Sequence, residues 1–146
     1  MLSKDYPDHH DAELVIKFYE LRREPVMREA RKAISAQFWP KSFDDVLALT
    51  KGEHPLNASF RQIATYWEMV YGMAKHGVLH ADLMMESCAE GLYLFAKMEP
   101  YLVQYREQVN PTAFRNAEWV AANCAAAKPM LELFRKRVQT TLASKA

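Results

Sequence analysis

Glu68 stands between Trp67 and Met69 in the most apolar helical stretch of the chain. An ionised carboxylate there must find a partner or give up its charge, because burying it alone is very costly. Such a group serves as a pocket acid or ligand anchor, or as half of a buried ion pair that fixes helix register. The bases that could answer it are the run Arg22, Arg23, Arg28, Arg31 and Lys32, and Arg61 on the same polar stripe. Glu68, Arg22, Arg28 and Arg61 are therefore the binding candidates, with the register-fixing ion pair favoured. No residue is assigned a catalytic role.

Five histidines raise the question of a metal. His9 and His10 are neighbours near the start. His76 and His80 have the separation that puts two ligands on one helical face, but Gly77 falls between them at an expected helix end. A di-iron bundle needs Glu-x-x-His on each of two helices, and the sequence has none. Neither a metal nor a cofactor is expected. Cys88 and Cys124 form no Cys-x-x-Cys pair and sit among small or apolar residues, which reads as two buried, reduced thiols. No Gly-x-Ser-x-Gly elbow and no glycine-rich phosphate loop occurs, so nucleotide binding of the glycine-loop kind is excluded.

The elements that carry these residues have helical spacing almost throughout, punctuated by proline more than glycine. Leu14, Val15, Phe18 and Leu21 mark a first helix, with Asp8 or Asp11 as its cap. Pro25 stops it and can begin a second, carrying Val26 to Phe38. Ser42 and Asp45 cap a short helix that ends at Gly52. From Leu56 to Lys75 two faces are apolar and only Arg61, Thr65, Glu68 and Gly72 form a polar stripe, the pattern of a helix with neighbours on several sides. A helix opened by His80 or Asp82 runs to Lys97, with Asp82, Glu86, Glu90, Tyr93 and Lys97 on its wet side. Pro100 begins a further short helix. Asn110-Pro111 predicts another start, with the asparagine as cap, and Pro129 kinks or restarts the last helix. No period-2 alternation competes. The expected fold is all-α: one domain, residues 1–146, a bundle of six or seven helices around a central, mostly buried helix at Leu56–Lys75. Residues 1–8 and 143–146 are expected to fray.

At 146 residues, half hydrophobic and a quarter charged, the chain has the size of one cored domain and excludes a disordered or collagen-like protein. Nineteen basic against eighteen acidic side chains argue against a dedicated nucleic-acid binder. Charge is uneven, however: residues 22–32 and the segment from Lys128 onward are basic, and residues 53–99 are acidic. No stretch approaches the roughly 18–20 apolar residues that span a bilayer, and the start lacks the apolar core of a secretory signal. A cytoplasmic location is expected.

Three blocks carry a resemblance: LRREPVMREAR at 21–31, YWEMVYGMAKHGVLHADL at 66–83 and NAEWV at 116–120. In these the chain resembles a bacterial family of small all-helical proteins of unknown function. The resemblance implies a helical fold and no activity, substrate or cofactor.

Eight Met, three Trp, seven Tyr and seven Phe exceed what a small core readily hides, so part of them is expected at an interface. The leading expectation is a non-enzymatic soluble domain acting through a protein partner or self-association. The alternative is a small-molecule-binding bundle with a Glu/Arg-lined pocket, and a further alternative is weak nucleic-acid binding through basic helix faces.

Overall fold

Caps and prolines cut the chain into short helices. The computed structural model describes residues 4–146, so Met1, Leu2 and Ser3 of the expected fraying terminus lie outside the described residues. Among the described residues there are nine α-helices, one 3₁₀ turn and no strand. Helix α1 spans His9–Arg22, with Asp8 as N-cap and Asp11 completing a reciprocal capping box. Pro25 takes the first position of α2 (Pro25–Gln37). The Ser42 hydroxyl caps α3 (Phe43–Leu49) through the Asp45 N–H. Helix α4 covers Asn57–Lys75 and ends before Gly77, which adopts a left-handed φ of 73°. Its neighbours are α2, α8 (Arg115–Asn123), α5 (Ala81–Ser87) and α6 (Gly91–Met98).

Trp67 and Val70 are buried, but Arg61, Gln62, Thr65 and Met69 of α4 face solvent. The most enclosed helix is α6, every residue of which is buried except the half-buried Tyr93. The chain continues through the 3₁₀ turn Glu99–Tyr101 into α7 (Leu102–Gln108), then α8, and ends in α9 (Ala127–Ser144), where Pro129 sits harmlessly in the first turn.

Two expected helices come out differently, and the first of them raises the helix number above the six or seven expected. The segment 82–97 is broken. Cys88 leaves helical geometry at φ −127°, ψ 35°, α5 ends and α6 begins on a new register. Asp82 and Glu86 keep the predicted wet face, whereas Lys97 turns inward and is 3 % exposed. Close packing sets the new register: a Cβ on Gly91 would lie 2.6 Å from the Tyr71 hydroxyl and 2.8 Å from Trp67 Cγ. Asn110 does cap, but it caps a turn, its Oδ1 accepting the Thr112 N–H at 3.0 Å. Phe114 then adopts φ 58°, and α8 begins only at Arg115, with no side-chain cap from its own N-terminal segment.

Candidate functional site

The missing cap of α8 comes from Glu68. Its Oε2 accepts the Asn116 N–H at 3.0 Å and its Oε1 the Ala117 N–H at 2.9 Å, and these are donors of the first helical turn. Asn116 returns a bond from its side-chain amide to the Glu68 carbonyl at 2.9 Å. The seam is tight. A Cβ on Gly72, one turn along α4, would meet Asn116 Nδ2 at 2.7 Å. Burial raises the Glu68 pKa, and the two N–H bonds only partly oppose that rise. The expected ion-pair partners are absent from this contact: the acid is matched by a helix N-terminus and its positive dipole end.

Arg22 is equally committed. It is buried, and its Nη2 donates to the Ser87 carbonyl at 3.1 Å, closing the C-terminus of α5. Its Nη1 reaches the Tyr66 hydroxyl at 3.2 Å and Cys88 Sγ at 3.5 Å, and the guanidinium stacks 5.3 Å from the Trp67 ring centre. Tyr71 donates to the Cys88 carbonyl at 2.8 Å, satisfying the next group of the same helix end. Arg31 is held in a fork by Glu90, with contacts of 2.8–3.1 Å. Arg28 and Arg61 are exposed. The structure therefore brings Arg22 to the break between α5 and α6 and Glu68 to the start of α8, in separate surroundings.

Three further buried polar residues follow the same rule: Asp11, expected only as a cap of α1, Lys97, expected on a wet face, and Asn57, for which the sequence carries no expectation. Asp11 accepts from the Lys4 ammonium at 2.7 Å, from the Asp8 N–H, and from the His80 N–H at 2.8 Å where α5 begins. Burial alone would raise its pKa; the Lys4 ammonium and the backbone donors outweigh burial and hold it down at about 2. Asn57 donates to the last carbonyl of α3, Leu49, at 2.9 Å. Lys97 donates to the Ile34 carbonyl in the last turn of α2 at 3.1 Å, under the rings of Trp39 and Tyr93 at 3.9 and 4.9 Å. Burial, and then the Lys145 charge, lower its pKa to about 8. The Asp8-to-Asp11 spacing was a readable signal of the capping box; nothing in the sequence linked Asp11 to His80 or Lys97 to Ile34.

The larger cavities lie elsewhere. One of about 550 Å³ is walled by Lys4, His80, Asp82, Trp119, Asn123 and Cys124. Another of about 500 Å³ is flanked by Arg106, Glu118, Lys128 and Arg135 over an apolar floor. Glu68, Arg22, Arg28 and Arg61 wall neither of these, nor three others in the fold. The Cys124 thiol donates to Asp82 Oδ1 at 3.4 Å, and burial together with that carboxylate pushes its pKa up. Burial also pushes the Cys88 thiol up despite Arg22. Both thiols are free, buried and poorly placed to ionise. Among the described residues no group of three or more His, Cys, Asp or Glu is arranged to hold a metal ion. No helix among them is long and apolar enough to cross a membrane.

Fold and site together define an all-α domain whose inner charges close helix ends. Residues 7–124 match the family model described as a domain of unknown function, DUF4760, and the chain belongs to that family. No curated protein and no solved structure matches it. The blocks 21–31, 66–83 and 116–120 supply Arg22, Arg31, Tyr66, Trp67, Glu68, Gly72 and Asn116, residues that meet in the contacts just described.

Proposed function

We propose that the chain is a non-enzymatic binding domain built on α4, which associates with a protein partner or a second copy of itself. The observation that carries this reading is on the two helices that meet at the α1–α2 elbow, where Ile16 and Tyr19 of α1 and Val26 of α2 are 59, 55 and 67 % exposed. The interior supports it too, since its charged side chains are already engaged by helix ends and aromatic faces. Two buried, unpaired thiols fit a reducing compartment such as the cytoplasm. In-cell photocrosslinking from position 16 or 19, compared with exposed Gln104 on α7, tests the reading. Discrete adducts at the elbow alone support it; yields no higher than at Gln104 overturn it.

A small-molecule role has the 550 Å³ cavity in its favour, a volume within the usual range for ligand sites. It moves the ligand away from Glu68 and Arg22. A thermal-shift screen with Trp119→Ala as control tests it, and hits indifferent to that change would remove this cavity from consideration. Weak nucleic-acid binding has less support. Of the basic run, Arg22 is buried and Arg31 pairs with Glu90, and Arg135 pairs with Glu99.

A further inference from the structure

Trp67 is 3 % exposed, and its indole N–H has no hydrogen-bond partner among the protein atoms. Buried donors in folded proteins are matched in the great majority of cases, so this one calls for an acceptor. Trp67 forms part of the wall of a small cavity between α2, α4 and α6, together with Arg31, Ser35, Glu90, Tyr93 and Lys97. Its volume is about 20 Å³. One water needs roughly 10–15 Å³ of such space and two to four polar partners.

We propose that this cavity is a binding site for a single water molecule, which accepts the Trp67 N–H and donates to the Glu90 carboxylate. Glu90 has room for it. Three contacts from Arg31 occupy its two oxygens, which together offer about four lone-pair directions. The Ser35 and Tyr93 hydroxyls on the same wall can complete the shell. The walls also decide the chemistry of the guest. A metal cation would face Arg31 and Lys97, and a halide would press on the Glu90 carboxylate. A water both accepts and donates, as this mixed lining requires. It would join α4 to the Arg31–Glu90 pair and so fasten the start of α6.

The site is tested on the unmodified protein. A high-resolution crystal structure should show one ordered water within hydrogen-bond distance of Trp67 Nε1 and of a Glu90 oxygen. In solution the Trp67 indole proton should give NOE and ROE cross-peaks to water of opposite sign, the mark of a long-lived bound molecule. Trp67→Phe removes the donor and should lose the water, while Glu90→Gln, which retains an acceptor, should keep it. An indole that donates directly to a protein oxygen overturns the proposal. So does a cavity closed by a side chain, or one holding density that scatters as an ion.

Discussion

Glu68→Gln isolates the seam between α4 and α8. The glutamine keeps the size of the side chain and one acceptor, but turns an NH₂ toward the Asn116 or Ala117 N–H. Losing a helix cap costs about 1 kcal/mol, and losing a hydrogen bond to a charged group roughly 1.5–3 kcal/mol. Against this stands the carboxylate's own burial, which raises its pKa above the ordinary value and so cancels part of the gain once it is ionised. The expected net loss at neutral pH is about 1–2 kcal/mol, or roughly 3–8 °C in Tm for a chain of this size. The pH dependence has a definite sign. A carboxyl whose folded pKa is raised contributes most below its unfolded pKa and loses that contribution as pH rises through the folded one. The substitution should therefore cost more just below the ordinary glutamate pKa than at neutrality. Urea unfolding followed by far-UV circular dichroism, run on both proteins at the two pH values, measures this directly. A loss under about 0.5 kcal/mol at both, the range of an ordinary surface change, would refute the capping role. A larger loss at neutral pH would refute the electrostatic reasoning.

Other substitutions probe the remaining helix ends. Asp11→Asn should cost about 1–3 kcal/mol at neutral pH by breaking charge-assisted bonds to Lys4 and the His80 N–H. Because the folded pKa is depressed, wild-type stability should fall as pH drops from the ordinary aspartate value toward about 2, a decline that Asp11→Asn lacks in acid titrations of Tm. Lys97→Met should remove a rise in stability that the wild type shows between about pH 8 and the ordinary lysine value, where the unfolded chain binds the extra proton. Gly91→Ala drives a methyl into Tyr71 and Trp67 and should cost about 1–3 kcal/mol or more, whereas Gly52→Ala, which meets no atom within 4 Å, should stay within about 0.5 kcal/mol in the same denaturation assay.

Helix starts were readable wherever the chain supplies its own cap. Asp8, Ser42 and Pro25 act where their positions predict, and Gly77 ends α4. The missed boundaries are those made by distant residues. The break at Cys88 depends on Arg22 and Tyr71 closing α5 from across the fold, and the late start of α8 depends on Glu68. Local periodicity cannot carry such information, since a helix broken at Cys88 and an unbroken one share the same hydrophobic pattern up to Glu86. Glu68 stands out in the sequence as an acid in need of a partner, and in the fold it is half-buried. The sequence offers arginine side chains as that partner; the backbone of α8 supplies it.

That choice of partner follows from the lengths of the helices. Every α-helix leaves four N–H and four C=O groups unmatched, whatever its length. Helices α3, α5, α6, α7 and α8 have only seven to nine residues, so they are nearly all end. Where water reaches an end, it satisfies these groups at little cost; inside the fold a side chain must. A carboxylate or guanidinium is the strongest such partner, and its charge is offset by the helix dipole it faces. Asp11, Arg22 and Glu68, which bond the ends of α5 and α8, are thus inner charges that short helices demand, with no catalytic role needed to account for them. At Glu68 the carboxylate is met by the α8 backbone and not by an arginine side chain. The large apolar side chains turned to solvent, Ile16, Tyr19 and Val26 on α1 and α2 and Val103 on α7 among them, are groups whose placement the fold itself does not require.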